Sequence, residues 1–324
     1  MHRWRQPLAG LALALTAAFG FVHAYAQSYP RKPIRLIVPN APAGLADITA
    51  RLVAAKLTDA LGQPVIVDNR VGAGSTIGTA AAVKATPDGY TLLAVFDSHA
   101  TNPHLFKNLE YDTLADLAPI ALLVRGPLLL AVNARLGIKT VQDLVRLAAA
   151  KPGAINFATV GPGSPARLLG ELFRLQAKVD ITLVPYKGAG TAINDLIAGE
   201  VDAMFATVPS LNPHVKTGRL RAIAVTSEKR SAALPGVPTM NETYPEFRAE
   251  SWVGLLTPAR TPPEIVARLN AEVSKVLALS ELKARFTELG YETVGGTPAQ
   301  FDHWIRVELE RWGKLIREQK ITLD

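Results

Sequence analysis

The segment Ile37–Asp47, IVPNAPAGLAD, joins an apolar run to an alanine-rich helix through a loop of small residues. The first amide groups of a helix lack intrahelical acceptors and carry about half a positive charge. Glycine, alanine and proline leave those amides open to an approaching anion. The loop therefore predicts an anion-binding helix start, although a tight turn with Asp47 as the helix cap would explain the same residues.

Similar loops recur along the chain. They read DNRVGAGSTIG at Asp68–Gly78, TVGPGSPAR at Thr159–Arg167 and PYKGAGT at Pro185–Thr191. The first of them resembles a dinucleotide fingerprint, but its spacing is G-x-G-x-x-x-G and no acidic residue ends a following strand at the right distance. In the second, Ser164 can cap a helix that starts at Pro165. The alternative is that Ser164 and the neighbouring glycine amides face a ligand.

Residues that would support catalysis or metal binding are sparse. The sequence lacks a G-x-S-x-G nucleophile motif and a phosphate-binding loop. Its histidines after residue 26 do not have H-E-x-x-H spacing, and it has no cysteine; they are His99, His104, His214 and His303. We therefore expect no enzyme, no cofactor and no metal site, and we expect these histidines to cap or pack.

Residues 1–26 have the pattern of a secretory signal peptide, with a basic start and an apolar stretch from Leu8 to Val22. The alternative is a membrane anchor, but the stretch is shorter than the ~20 residues of a membrane span. A small-x-small site at Ala24–Ala26 predicts cleavage between Ala26 and Gln27, which leaves 298 residues. We expect the product in the bacterial periplasm.

The charge of the chain favours small anions over nucleic acid. The formal net charge is +7, and removal of Arg3 and Arg5 with the signal peptide would leave +5. The basic residues are scattered, which is not the footprint of a nucleic-acid-binding protein. A mildly positive field favours anionic small molecules.

Short apolar runs alternate with loops and amphipathic helices. The pattern predicts strands at 34–38, 65–67, 91–96, 128–132, 155–158, 182–185, 203–206 and 222–225. It predicts helices at 47–61, 75–84, 165–177, 263–279, 281–289 and 298–319. It predicts two further helices, one that is capped by Thr140 with Asp143 and one that ends at Ala198. This alternation indicates two α/β lobes with largely parallel sheets, in which ligands bind beyond the carboxyl ends of the strands.

Taken in order, the motifs resemble the Bug family, the TctC-type solute receptors of tripartite tricarboxylate transporters. The resemblance covers nearly all of the chain after residue 26 and includes YPRKPIRLIVPNAPAGLADITARLVA, LGQPVIVDNRVGAGSTIGTAAAVKATPDGYTLL, VPYKGAGTAINDLIAGEVDAMF, VKTGRLRAIAVTSEKR and PPEIVARLNAEV. It implies a two-lobe periplasmic binding protein of type II-like α/β fold, with a mainly parallel sheet and flanking helices in each lobe. Residues 27–126 plus 250–324 would form lobe I, and residues 127–249 lobe II.

The resemblance also implies a small carboxylate as ligand, a monomeric receptor that closes around it, and a membrane permease as partner. The expected amide donors are those of Ala43, Gly44, Ala73, Gly74 and Gly163. The expected hydroxyl contacts are Ser75, Ser98, Thr159 and Ser164. Asp47 would orient a bridging water and the first loop, and Tyr186 would line the wall of lobe II.

The chain departs from the family pattern at several positions. The first loop has Asn40 in place of an aromatic residue, Ala43 in place of a glycine and Ala46 in place of a hydroxyl residue. In lobe II, Arg167 replaces a histidine and Ala206 replaces an aspartate. The gain of a guanidinium and the loss of a partner for an ammonium group indicate a carboxylate without an amino group, such as a dicarboxylate. The alternative is that Arg167 faces solvent and Ala206 packs against the sheet.

Two other classes of protein compete with a carboxylate receptor. An exported hydrolase or oxidoreductase would need a nucleophile–base pair or an acidic dinucleotide partner, and the sequence offers neither. A structural or adhesion protein would not need small-residue helix starts in both lobes.

Overall fold

The computed structural model describes residues 29–161, 163–245 and 247–323. The predicted signal peptide and its cleavage site lie outside the described residues. The strands are β1 (Ile34–Val38), β2 (Val65–Asn69), β3 (Thr91–Phe96), β4 (Leu117–Asn133), β5 (Asn156–Val160), β6 (Thr182–Tyr186), β7 (Ala203–Thr207), β8 (Leu220–Val225), β9 (Glu250–Pro258) and β10 (Glu292–Gly295). The helices are α1 (Leu45–Leu61), α2 (Thr76–Val83), α3 (Ser98–Leu105), α4 (Val141–Ala150), α5 (Pro165–Ala177), α6 (Ala189–Ala198), α7 (Val208–Lys216), α8 (Pro263–Ala278), α9 (Ser280–Glu288) and α10 (Pro298–Glu318).

Local sequence signals fix many helix ends. Helix α1 ends at Gly62, whose φ of 66° provides the left-handed cap that favours glycine. Helix α4 begins with a capping box in which Thr140 and Asp143 each accept an amide hydrogen bond from the other's backbone. Helix α5 begins with Ser164 as cap and Pro165 in its first turn. These three predictions from the sequence are confirmed.

The strands form two sheets that share one strand. The first sheet has the order β2–β1–β3–β9–β4–β10, and the second has the order β8–β4–β7–β5–β6. Strand β4 is 17 residues long, and its first part lies in the first sheet while its second part lies in the second. The α/β class is therefore confirmed, with mixed rather than mainly parallel sheets. The sequence pattern missed this because β9, β10 and the first half of β4 were not predicted as strands.

The chain passes between the two sheets at two neighbouring points. Gly126 and Pro127 in β4 pair with Ser251 and Glu250 at the start of β9, so both crossing segments run side by side. A proline inside an apolar run normally argues against a strand at that position. Here Pro127 lies where β4 leaves one sheet for the other.

The buried hydroxyl of Thr226 ties the two crossing segments together. Its Oγ1 accepts a hydrogen bond from Leu128 N at 2.9 Å and donates one to Ala249 O at 2.7 Å. The Thr226 backbone also donates to Leu128 O and accepts from Ala249 N. Thr226 is fully buried, so water cannot replace these bonds.

One apolar cluster extends across both sheets. It includes Leu93 of β3, Phe157 of β5 and Phe205 of β7, and all three are buried. Trp252 packs edge-on against Phe301 of α10, with ring centroids 5.9 Å apart. The C-terminal helix thus contributes to a core that both sheets share.

We predict that Thr226→Val lowers the free energy of unfolding by about 1–3 kcal/mol, because it leaves the Leu128 amide and the Ala249 carbonyl buried without partners. Thr182→Val is the matched control, since Thr182 lies in a strand but its hydroxyl bond is exposed, and we expect a change within about 0.5 kcal/mol. Urea unfolding of both variants measures the difference. Equal losses in the two variants would contradict the role given to Thr226.

Candidate functional site

Helix starts gather at one edge of each sheet. In the first sheet, the mutually parallel strands β1, β2 and β3 each lead into a helix, and in the second sheet β5, β6 and β7 do the same. The two edges meet, since Thr101 Oγ1 on α3 donates to the Gly163 carbonyl between β5 and α5 at 3.3 Å. The amides that helix geometry leaves unpaired therefore come from both sheets to the same region.

Asp47 organises the first loop. Its side chain is buried, and its carboxylate accepts hydrogen bonds from Ala43 N, Asn69 Nδ2 and Arg51 Nε at 2.9–3.0 Å. Burial raises the pKa of this carboxyl, but the hydrogen bonds from Arg51, Ala43 and Asn69 outweigh it and lower the pKa below its ordinary value. Asn69 Nδ2 also donates to the Asn40 carbonyl, so the loop is held at both ends.

Two of the expected amide donors of this loop already have partners in the structure. The Ala43 amide bonds to Asp47, and the Gly44 amide points to the Ala41 carbonyl at 3.4 Å. Both donors are directed within the loop, so the available amides of this helix start are those of Leu45 and Ala46 in the first turn of α1. The role of Asp47 in fixing the loop agrees with the expectation from the sequence.

The second loop has an unusual backbone. Four consecutive residues, Gly72, Ala73, Gly74 and Ser75, have φ values of 143°, 42°, 62° and 83°. Alanine and serine rarely adopt such values, and each instance costs on the order of 1–3 kcal/mol. The surrounding residues hold the strained segment, because Asn102 Nδ2 on α3 donates to the Gly74 carbonyl at 2.8 Å. Strain of this kind is common at binding sites.

The glycine spacing in this loop serves close packing. A Cβ atom at Gly78 would lie 2.6 Å from the Pro39 side chain and 2.8 Å from the Arg70 carbonyl. Gly78 therefore brings α2 directly against the first loop. The G-x-G-x-x-x-G spacing has a packing explanation here that does not involve a dinucleotide.

Two serine hydroxyls connect the second loop to α3. Ser98 Oγ, at the start of α3, donates to Ser75 Oγ at 3.3 Å, and Ser75 is 9% exposed. Because Ser75 Oγ accepts this bond, its own proton remains free for another acceptor. The structure thus brings together Ser75 and Ser98, which the sequence suggested from separate loops.

Hydroxyl groups of the second sheet have different roles. Ser164 Oγ accepts from Arg167 N at 3.3 Å and keeps its own proton for a further acceptor. Thr159 is buried, and its Oγ1 donates to the Val184 carbonyl of β6 at 3.4 Å. The Thr159 hydroxyl proton is therefore directed into the sheet, which leaves Ser164 as the stronger candidate donor.

Arg167 is a partly buried cation in the first turn of α5. Across residues 29–161, 163–245 and 247–323, no carboxylate forms an ion pair with it. By contrast, Arg174 on the same helix pairs with Glu171 at 2.7 Å. The Arg167 guanidinium is thus without an acidic partner in the described residues, as are several other arginines, including Arg219 and Arg221.

Tyr186 and Ala206 are both tied to the second sheet. The Tyr186 hydroxyl donates to Asp195 Oδ2 on α6 at 2.8 Å, and partial burial together with that carboxylate raises the pKa of Tyr186 to about 12. Its hydroxyl is therefore engaged, and the ring is the part left to form a wall. Ala206 is 8% exposed and packs with Leu129 and Met204, in agreement with the packing alternative for this position.

Asp97 is a buried carboxylate at the join between β3 and α3. It accepts hydrogen bonds from Ser251 Oγ at 2.7 Å and Trp252 N at 3.2 Å, both at the crossing. Burial raises the pKa of Asp97 to about 7, the bond from Ser251 opposes this, and the nearby Glu308 carboxylate adds to it. Asp97 thus links the start of α3, where Ser98 lies, to the start of β9 at the crossing.

A cavity of about 640 Å³ lies away from the helix starts, beside the crossing. Its lining includes Arg125, Glu250 and Glu292, and these side chains already pair with one another, with Arg125 Nε 2.5 Å from Glu292 Oε1. Arg125 also lies over the Trp304 ring, 5.6 Å from its centroid. The helix starts that could hold an anion do not line this cavity, so we place the candidate site at the helix starts.

Several functional residues were missed from the sequence. Arg51 and Asn69 complete the network around Asp47, and the four-residue spacing of Asp47 and Arg51 on a helix is the signal that points to the first of them. Thr101 and Asn102 belong to α3, which was not predicted because Pro103 interrupts its pattern. Within the described part of the chain, no group of three His, Cys, Asp or Glu side chains is arranged to hold a metal ion.

Comparison with known proteins identifies the class. Residues 49–321 match the Tripartite tricarboxylate transporter family receptor, TctC, so the chain belongs to this family of periplasmic solute-binding receptors and not to a family of enzymes. None of the helices in the described residues is long and apolar enough to cross a membrane.

Individual relatives resemble the chain over most of its length. It is 40% identical over 296 residues to Protein BugT of Bordetella pertussis, which covers 90% of this chain and 91% of that protein. An R. palustris protein solved with adipate is 33% identical, covers 90% of this chain and 98% of its own, and superposes with a TM-score of 0.83. MatC from Rhodopseudomonas palustris, solved with bound malate, is 32% identical, with coverage of 89% and 100% and a TM-score of 0.79.

We predict that Ser75→Gly is about 1 kcal/mol more stable than Ser75→Ala, because glycine relieves the positive φ while both changes remove the hydroxyl. Ser274 lies inside α8 and is the matched control, since the order of the same two substitutions should reverse there by a similar amount. Thermal unfolding of the four variants gives the comparison. A Ser75→Gly variant less stable than Ser75→Ala would show that this backbone is not strained.

We predict that Asp97→Asn removes a pH dependence of stability. The folded-state pKa of about 7 lies above the ordinary 3.8, so the folded protein retains a proton that the unfolded chain loses, and Asp97 weakens stability as pH rises from about 4 to 7. The wild type should lose a few kcal/mol relative to Asp97→Asn over this interval. Urea midpoints from pH 4.5 to 8 measure it, and parallel curves for the two proteins would refute the assignment.

Proposed function

We propose that the protein captures a small carboxylate between two lobes in the periplasm and delivers it to the permease subunits of a tripartite tricarboxylate transporter. In this proposal, lobe I consists of residues 27–126 and 250–324, and lobe II of residues 127–249. The crossings at Gly126–Pro127 and Ala249–Glu250 support these boundaries, because each lobe then contains one sheet and its helices. The receptor acts as a monomer that closes by rotation at the crossings.

The observation that carries the proposal is the meeting of the helix starts from both sheets. Three helices of each sheet begin at the edge where Thr101 and Gly163 touch. Unpaired amides and positive dipole ends on both sides favour an anion between them. The strained backbone of the second loop supports placing the site in the same region, because backbone strain of this kind clusters at functional sites.

Each side supplies its own contacts in the proposed site. On lobe I, the amides of Leu45 and Ala46 take the place of those expected from Ala43 and Gly44, and the hydroxyls of Ser75 and Ser98 add to them. The amides of Ala73, Gly74 and Gly163 remain proposed ligand donors, with Ser164 and the Tyr186 ring on lobe II. Asp47 and Asn40 hold the first loop in place.

The ligand class we propose is an aliphatic dicarboxylate without an amino group. One carboxylate would lie at the helix starts, and Arg167, which has no acidic partner in the described chain, would hold the second through two parallel hydrogen bonds. Ala206 provides no carboxylate for a ligand ammonium group. The adipate and malate in two solved relatives are both dicarboxylates, which supports this class.

We predict that adipate, malate or another aliphatic dicarboxylate stabilises the purified protein against heat, while amino acids and nicotinamide dinucleotides do not. A ligand at a thousand times its Kd adds about 4 kcal/mol to the free energy of unfolding, which raises the melting temperature by several degrees.

Arg167→Gln should weaken dicarboxylate binding about ten- to a hundredfold, because a charge-assisted hydrogen bond is lost. Arg174→Gln, on the same helix but already paired with Glu171, should bind as the wild type does.

Thermal shift followed by titration calorimetry makes this measurement. Tight binding of aspartate or glutamate without dicarboxylate binding would refute the ligand class. Stabilisation by a dinucleotide alone would refute the receptor function and favour an exported enzyme. Equal losses in Arg167→Gln and Arg174→Gln would remove Arg167 from the site.

A further inference from the structure

The contact between the two sheets involves one face of α3. Thr101 and Leu105 are one helical turn apart, and both are buried, at 0% and 8% exposure. Thr101 Oγ1 lies within hydrogen-bond distance of the Gly163 carbonyl at 3.3 Å and of the Ser98 carbonyl at 3.4 Å. Helix α3 therefore rests on the loop that leads into α5.

A side chain at position 163 would press against Leu105. A Cβ atom there would lie 2.5 Å from Leu105 Cδ1, which is closer than carbon atoms approach without a shift of one of them. The φ of Gly163 is not in the left-handed region, so the requirement is for space and not for backbone conformation. Leu105 belongs to the large apolar cluster, so moving its side chain into solvent would cost free energy.

The contact joins parts of the protein that move relative to one another in the proposed function. Helix α3 belongs to the first sheet, and Gly163 belongs to the second. In the proposed function, rotation at the crossings would separate α3 from Gly163. In that proposed function, the contact belongs to the closed arrangement.

We propose that α3 packs against Gly163 when the protein closes over the ligand. The absence of a side chain at position 163 then allows the closed state to be populated. This inference rests on the proposed function. A methyl group at position 163 raises the free energy of the closed state and leaves the open state unaffected. The apparent affinity then falls by the same factor as the fraction of protein that can adopt the closed, binding-competent state. The Gly163 amide remains in place in an alanine variant, so a loss of affinity is not the loss of that donor.

The test is titration calorimetry of adipate and malate with the purified protein and a small set of variants. Gly163→Ala should weaken binding about ten- to a hundredfold. Leu105→Val removes Cδ1 but keeps carbon atoms near the Cγ position, which lies 4.0 Å from the added methyl. The double variant Gly163→Ala with Leu105→Val should therefore bind within about threefold of Leu105→Val alone. Gly236→Ala, also in residues 127–249 but with open space around its Cβ, should bind as the wild type does.

A second variant tests the same contact without adding volume. Thr101→Val keeps the shape of the side chain but removes the donor to the Gly163 carbonyl, and binding should weaken about three- to tenfold. Unchanged affinity in both Gly163→Ala and Thr101→Val would overturn the inference. A double variant as weak as Gly163→Ala would also overturn it, because the methyl would then block the ligand directly. If the wild type binds no carboxylate, the proposed function itself fails, and the wild-type titration separates that outcome from the others.

Discussion

The buried hydroxyl of Thr226 joins the two segments on which the whole arrangement depends. It bonds to Leu128, where β4 enters the second sheet, and to Ala249, just before β9 enters the first. Because the two crossings are held side by side, the two sheets share one strand and a continuous apolar cluster. The helix starts of both sheets face each other as a consequence of this connection.

The candidate site uses backbone more than side chains. Asp47 holds the first loop, and α3 supports the second through Asn102, so small residues can remain in conformations that they rarely adopt. Small residues also permit close approach, as Gly78 does against the first loop and Gly163 does against α3. In these loops the lack of side chains leaves room for neighbouring elements.

Much of the fold could be predicted from the sequence, because strong local signals mark it. Strand β1, strand β3 and helix α5 have the predicted bounds, and the Thr140 capping box is present. Strand β9 was missed because it is buried on both faces and has no alternation, and β4 was read only in part because prolines interrupt it. The helices that follow these loops could be predicted from the sequence, and the binding role of the loops stays a prediction. The direction of the Ala43 and Gly44 amides could not, because it depends on Asp47 in the folded loop.

A crystal structure of the protein grown with saturating adipate or malate would test the proposed binding site most directly. We expect one carboxylate at the first turn of α1 and within reach of Ser75 and Ser164, with Arg167 on the second carboxylate and α3 packed on Gly163. A ligand bound in the cavity lined by Arg125 and Trp304, or a closed structure in which Gly163 and α3 are apart, would contradict it.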